Sequence, residues 1–161
     1  MGNRAFIGLG SNLDDPRQQV LAAFRELDSL PGTHLAARSS LYRSAPMGFA
    51  EQPDFINAVA EIRTRLSPHD LLQALLGIEH RRGRVRSFSN APRVLDLDVL
   101  LYDGQVMHED GLTVPHPRIR ERAFVLRPLL EIAPDCLIPG CGLAADFLPG
   151  CTDQQLERLE E

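Results

Sequence analysis

The chain has 161 residues, of which 43% are hydrophobic and 24% charged, and its net charge is −5 at pH 7. These values predict one soluble globular domain over residues 1–161, and no apolar run approaches the length of a transmembrane helix. The acidic balance argues against nucleic acid as a partner. All 17 basic residues are arginine, which excludes a Walker-type P-loop and a Schiff-base lysine.

The apolar pattern predicts elements in the order βαββαβ, with Asp14 or Asp15 capping the first helix and Ser67 the second. Strands are expected at 5–10, 35–42, 55–63 and 94–102, and helices at 16–27 and 68–79. A hairpin through 105–112, a helix over 124–132 and one or two short tail helices follow. This order predicts an α+β fold with a ferredoxin-like βαββαβ core, an antiparallel sheet with the helices packed on one face.

The strongest chemical signal is a pair of carboxylates, Asp96 and Asp98, inside the apolar run 94–102. In a strand, residues two apart point to the same face and are separated by about 6.6 Å along the backbone. Two buried like charges need a compensating cation, and paired carboxylates suit hard divalent ions such as Mg²⁺. The alternative is a solvated pair on an edge strand, which the surrounding leucines and valines disfavour.

Cationic side chains precede and follow this strand. Residues 80–93 contain five arginines and no acid, and Arg84, Arg86 and Arg93 lie around a loop rich in glycine, serine and proline. By itself such a run is most often a solvated face. Beside a carboxylate pair it predicts recognition of a phosphate, which arginine binds in a bidentate manner. His116, between two prolines, is either structural or a further phosphate contact.

Two phenylalanines and an amide suggest a second kind of ligand. Phe55 and Asn57 share one face of their predicted strand, and Phe124 lies far along the chain. Phenylalanines are usually core residues, but two aromatic faces and an amide could also sandwich a flat heterocycle.

Six short segments occur along the chain in a characteristic order and extend this interpretation. They are residues 10–13 (GSNL), 42–46 (YRSAP), 52–57 (QPDFIN), 83–86 (GRVR), 92–99 (PRVLDLDV) and 112–117 (LTVPHP). Together they resemble the 6-hydroxymethyl-7,8-dihydropterin pyrophosphokinase family of the folate pathway, from about residue 5 to residue 134. The resemblance implies transfer of the pyrophosphoryl group of ATP to the hydroxymethyl oxygen of the pterin, leaving AMP.

The resemblance also implies roles for individual residues. The catalytic residues would be Arg84, Arg93, Asp96 and Asp98, with the two aspartates as ligands of two Mg²⁺ ions on the triphosphate. Nucleotide contacts would come from Glu79, Arg86, Val99, Thr113, His116 and Arg122. Pterin contacts would come from Ser44, Ala45, Pro46, Met47, Phe55, Asn57 and Phe124.

Two other functions stay open on the sequence alone. One is a different magnesium-dependent small-molecule kinase, which would release ADP rather than AMP, and the other is a non-catalytic module that binds a nucleotide or a pterin. The chain shows no signal-peptide pattern, and its three cysteines lack the spacing of a metal or redox site. A reduced, cytoplasmic monomer is therefore expected.

Overall fold

The computed structural model describes residues 2–46, 51–83 and 94–160. Its strands are β1 (Asn3–Ser11), β2 (Thr33–Arg38), β3 (Tyr42–Ser44), β4 (Phe55–Thr64), β5 (Asp96–Tyr102), β6 (Met107–Glu109), β7 (Leu112–Val114), β8 (Leu137–Ile138), β9 (Gly142–Leu143) and β10 (Leu156–Arg158). Its α-helices are α1 (Pro16–Asp28), α2 (Pro68–Arg81) and α3 (Ala123–Ile132), and 3-10 helices cover Ile119–Glu121 and Ala144–Cys151. The predicted order βαββαβ is confirmed.

The main sheet is antiparallel and has the order β10-β3-β4-β1-β5, with β2 paired to the other half of β4. The single strand predicted at 35–42 is two strands, because Ser39 interrupts the ladder. The Ser39 hydroxyl accepts the Val59 N–H at 2.9 Å while the Ser39 N–H donates to the Val59 carbonyl at 2.9 Å. After this interruption, β3 pairs with the first three residues of β4.

The first turns of α1 and α2 agree only in part with the capping predicted from the sequence. Both α1 and α2 have proline in the first turn, where its missing N–H costs nothing. Ser67 caps α2 as predicted, since its side chain accepts the Asp70 N–H at 3.2 Å. Asp15 occupies the N-cap position of α1 but makes no side-chain cap hydrogen bond, and its backbone is left-handed at φ 64°. The predicted side-chain cap of α1 is therefore wrong.

Apolar side chains are buried on both faces of the sheet. On one face, alternate residues of β4 from Ile56 to Ile62 pack with α1 and α2. On the other face, Val59 packs in a cluster with Phe6, Leu100 and α3. The two helices of the βαββαβ core, α1 and α2, lie on one face as predicted, and the additional helix α3 covers the other face. Among the odd residues of β4, Val59 is apolar and fully buried, so this face of the sheet needs a cover of its own.

The tail has a short helix, as predicted, and also short strands that were not predicted. It contains one 3-10 helix, the small hairpin β8–β9 and the edge strand β10, which pairs with β3. The predicted hairpin after β5 is confirmed as β6–β7. Within the described ranges, no helix is both long enough and apolar enough to cross a membrane.

Candidate active site

A pocket opens on the sheet face that α3 covers, where two glycines of β1 leave the floor without side chains. In the strand register, Gly10 pairs with Asn57 on one side and with Asp96 on the other, and Gly8 pairs with Asp98. Directly paired residues project to the same face of a sheet. A Cβ at Gly10 would lie 3.3 Å from Asn57 Oδ1, and one at Gly8 would lie 3.3 Å from a Leu100 methyl carbon. The glycines thus keep the space between the amide and the carboxylates open.

The pocket brings together residues that are distant in the sequence. Its predicted members are Ser44, Ala45, Phe55, Asn57, Asp96, Asp98, His116, Arg122 and Phe124, and its further members are Gly8, Leu9, Gly10, Ala58, Leu100 and Val125. Gly8 and Gly10 are site residues that were not predicted from the sequence. A glycine inside a strand often marks a place where a ligand or another backbone comes close. The two glycines are two residues apart, as Asp96 and Asp98 are, so they share one face of β1.

Asp96 and Asp98 are half-buried in β5 and line the pocket, whereas Leu97 and Val99 between and beyond them are buried on the opposite face. Although β5 is an edge strand, its carboxylates lie in a pocket rather than in open solvent, which disfavours a merely solvated pair. The carboxylate of Glu79 on α2 accepts the Leu97 N–H at 2.7 Å. This bond fixes the peptide that separates the two aspartates.

Two basic side chains face these carboxylates. Burial lowers the pKa of Arg122, and Arg118 lowers it further, while Asp98 and Asp96 oppose the shift. The Arg122 Nε atom is buried and has no hydrogen-bond partner among the described residues. Burial and the neighbouring Arg122 lower the pKa of His116, whereas Asp96 raises it. The site therefore holds a neutral imidazole beside a guanidinium whose Nε–H is available for an anion.

The other half of the pocket is aromatic and amide in character. Asn57 is only 4% exposed, and its Nδ2 donates to Ser44 Oγ at 2.7 Å, so its Oδ1 is the group that faces the space above Gly10. The half-buried rings of Phe55 and Phe124 line the same pocket. The amide and the two rings provide an acceptor for an N–H donor and apolar faces for a flat ligand.

The buried Asn12 holds the segment that leads into β4. Its Nδ2 donates to Gln52 Oε1 at 2.8 Å and to the Pro53 carbonyl at 3.0 Å. This contact joins the end of β1 to the turn before Phe55. It gives a structural role to the first of the six sequence segments.

Several predicted site residues lie elsewhere. Met47, Arg84, Arg86 and Arg93 fall outside the described residues. Glu79 is 2% exposed behind β5, the Val99 side chain belongs to the core under α1 and α2, and Thr113 pairs with His108 in the β6–β7 hairpin. Pro46 and these three residues are not among the pocket-lining set. Their ligand contacts, and those of the pocket residues, stay predictions.

The carboxylates of Asp96 and Asp98 suit a Mg²⁺ ion that is bound jointly by the protein and the substrate. In the part of the chain that the structure describes, no group of three or more His, Cys, Asp and Glu side chains could hold a metal by itself. Mg²⁺ is usually held by one or two carboxylates, with waters and substrate phosphates completing its octahedron. Two carboxylates beside the buried Arg122 Nε, which has no hydrogen-bond partner within the described ranges, match that pattern.

Carboxylates suited to Mg²⁺, an arginine and aromatic rings in one pocket are the groups that an enzyme needs to transfer a phosphoryl group to a flat small molecule. Residues 6–134 match the family model described as 7,8-dihydro-6-hydroxymethylpterin-pyrophosphokinase. The chain belongs to this family. The predicted family, and with it the predicted pyrophosphokinase activity on a hydroxymethylpterin in folate biosynthesis, is confirmed.

Full-length relatives and solved structures agree. The chain is 46% identical over 159 residues to the 2-amino-4-hydroxy-6-hydroxymethyldihydropteridine pyrophosphokinase of Pseudomonas aeruginosa, covering 99% of this chain and 98% of the relative. It is 43% identical to the enzyme of the same name from Haemophilus influenzae, covering 96% and 97%. A Plasmodium falciparum HPPK-DHPS structure has a TM-score of 0.73 at 12% identity, and the alignment covers 92% of this chain and 43% of that one. This structural match confirms the ferredoxin-like fold.

Proposed function

We propose that this pocket performs the reaction of the family with ATP held on the side of Asp96 and Asp98 and the pterin held on the side of Asn57. The observation that carries the proposal is the register of one row across the sheet. Gly10 lies between Asn57 and Asp96, so a ligand on the amide and a ligand on the carboxylates meet above a floor without side chains.

On the nucleotide side, Asp96 and Asp98 would hold two Mg²⁺ ions, as the resemblance implies. When bound, these ions would neutralise triphosphate charge and make the β-phosphorus more electrophilic. Arg122 lines the same pocket and adds a fixed positive charge, and its buried Nε has no hydrogen-bond partner among the described residues. Such preorganised charge is the main source of catalysis in phosphoryl transfer.

His116 contributes as a neutral hydrogen-bond donor. The Arg118 N–H donates to its Nδ1 at 3.1 Å, so Nδ1 is the acceptor nitrogen and the ring proton resides on Nε2. Burial and Arg122 lower the His116 pKa and hold this neutral form. The Nε2–H is then the group that can donate to a phosphate oxygen.

On the pterin side, the two phenylalanine rings would stack on the heterocycle, and Asn57 Oδ1 would accept one of its N–H groups. The Asn57 Nδ2–H is already used by Ser44, which orients the amide before the ligand binds. In the reaction, a bond forms between the hydroxymethyl oxygen and the β-phosphorus. The bond from that phosphorus to the oxygen shared with the α-phosphorus breaks, the hydroxyl proton is released, and AMP leaves.

We further propose that the chain acts as a monomeric, cytoplasmic single domain. In the described residues the cysteines Cys136, Cys141 and Cys151 are free thiols, which suits a reducing compartment. Among the described residues the large exposed apolar side chains are Val106, Leu137 and Leu143. Leu137 and Leu143 pair across the β8–β9 hairpin, and two side chains form a patch too small for a stable interface. Sedimentation at micromolar concentrations is expected to give one species of monomer mass.

The function is tested by identifying the nucleotide product. With Mg²⁺, ATP and 6-hydroxymethyl-7,8-dihydropterin, the chain is expected to form AMP and the pterin diphosphate in equal amounts. ADP would instead favour an ordinary kinase, and no turnover would favour a binding module. Asp98→Asn is expected to lower turnover by at least about a hundredfold, as is usual when one transition-state charge partner is removed. The exposed Asp135→Asn is the matched control, and parental turnover of Asp98→Asn would contradict the assigned role.

A further inference from the structure

The C-terminal segment, residues 154–158, contacts both walls of the pterin side of the pocket. It lies beyond residues 6–134, which match the family model, and none of the six sequence segments that carry the family resemblance includes it. In one contact, the side chain of Gln154 binds the backbone at the start of α3. The other is made by β10, which pairs with β3.

Gln154 completes the N-terminus of α3. Its Oε1 accepts the Ala123 N–H at 2.9 Å, and its Nε2 donates to the Glu121 carbonyl at 2.7 Å. The residue at the N-cap position of this helix, Arg122, makes no side-chain cap hydrogen bond, so Gln154 supplies the cap that the helix itself lacks. The two residues that flank Ala123 are Arg122 and Phe124, and both line the pocket. Gln154 therefore fixes the backbone from which both project.

The strand β10 fixes the opposite wall. It pairs Leu156 with Ser44 and Arg158 with Tyr42. The Arg158 Nε donates to Ser40 Oγ at 3.1 Å, and its Nη2 lies 3.6 Å from Glu131 Oε2 on α3. The strand β3 is only three residues long and ends at Ser44, the partner of the Asn57 amide. Without β10, this short strand would be the edge of the sheet.

We infer that Gln154 together with β10 (Leu156–Arg158) is a positioning element for the pterin, which sets the affinity for that substrate. The inference rests on the proposed function, because it takes the pterin as the ligand of this half of the pocket. The strand β5, which carries Asp96 and Asp98, lies at the opposite edge of the sheet from β10. Of the residues that the element positions, Arg122 belongs to the nucleotide side, whereas Phe124, Ser44 and, through Ser44, Asn57 belong to the pterin side. Loss of the element is therefore expected to weaken pterin binding more than nucleotide binding.

The test compares Gln154→Met with Gln155→Met. The first variant keeps the side-chain length and loses both hydrogen bonds, and the second changes an exposed neighbour. Calorimetry measures the Kd for 6-hydroxymethyl-7,8-dihydropterin in the presence of Mg²⁺ and a saturating non-hydrolysable ATP analogue. It also measures the Kd of the analogue alone. Gln154→Met is expected to raise the Kd for the pterin about fivefold, because the backbone around Ala123 loses the hydrogen bonds that hold it in place. The Kd of the ATP analogue is expected to change less. Gln155→Met is expected to bind both ligands with the parental Kd values.

The outcomes separate this inference from the function. If Gln154→Met lowers the Tm and binds the pterin with the parental Kd, the segment is only structural and the inference is wrong. Equal weakening of pterin and nucleotide binding overturns it as well. Arg158→Met gives a second measurement on β10, with the same expected split. A parent chain that binds no pterin would refute the proposed function itself.

Discussion

Replacing Gly10 by alanine should damage pterin binding without unfolding the protein. The new Cβ would lie 3.3 Å from Asn57 Oδ1, inside ordinary van der Waals distance, and Ile56 O at 4.0 Å is the other atom within 4 Å. Asn57 has little room to retreat. It is 4% exposed, its strand is paired on both sides, and its Nδ2 is bound to Ser44 Oγ at 2.7 Å. The amide must therefore rotate or release Ser44.

The size of the effect follows from what the rotation removes. Two hydrogen bonds are affected: the one that Asn57 Oδ1 would accept from the pterin, and the one from Asn57 Nδ2 to Ser44 that orients the amide. At about 1 kcal/mol each, their loss corresponds to about a thirtyfold rise in the Kd for the pterin. The free energy of unfolding should change little. One weakened internal hydrogen bond costs about 1 kcal/mol, and replacing a strand glycine by alanine returns roughly 0.5–1 kcal/mol.

The assay is calorimetric titration of 6-hydroxymethyl-7,8-dihydropterin into Gly10→Ala, with Mg²⁺ and a saturating non-hydrolysable ATP analogue. A denaturant melt of the same sample measures its stability. Gly104→Ala, in an exposed turn with no atom within 4 Å of the new Cβ, is the control and should bind like the parent. Parental pterin affinity in Gly10→Ala would refute the reasoning that Asn57, Gly10 and Asp96 form one recognition row.

Two further predictions concern buried polar groups. Burial, with the hydrogen bond to Glu131 as the next cause, raises the pKa of Tyr42 from 10.0 to about 12. Its stabilisation is thus fully present below pH 10 and is lost as the pH rises through about 12. The unfolding free energy of the parent minus that of Tyr42→Phe should fall by about 3 kcal/mol over this window, with about half of the fall complete at pH 11, and a flat difference in denaturant melts would contradict this. Glu79→Leu removes the acceptor of the Leu97 N–H and should cost about 2 kcal/mol of stability. Glu79→Gln, which keeps an acceptor, should cost less in the same melts, and an equal loss in both variants would argue against this bond.

The elements that the sequence predicts well are those with a clean apolar period. The alternation of β4 and the apolar stripe of α2 locate those elements to within a few residues. The period of two in β5 places Asp96 and Asp98 on one face before any coordinates are known. The family resemblance adds the aromatic residues and the histidine, which periodicity alone leaves as ordinary core or loop residues.

The features that the sequence does not predict depend on contacts between distant segments. The position of α3 depends on a second apolar face of the sheet, formed by Val59 with Phe6 and Leu100. The cap of α3 comes from Gln154, for which no local pattern exists, since capping residues are normally sought at the helix start itself. The strand β10 is three residues long and mostly exposed, so it has no apolar signature.

The register that builds the pocket is enforced by the core on the opposite face. A slip of β5 by one residue would turn Asp96 and Asp98 into the apolar cluster under α1 and α2, and would expose Leu97 and Val99 in the pocket. Burying each carboxylate there would cost several kcal/mol, in addition to the lost burial of the apolar side chains. The same alternation therefore stabilises the sheet and aligns Asp96 with Gly10 and Asn57. A substitution that weakens the core at Leu97 should consequently disturb the geometry of the site even though its side chain lies on the far face.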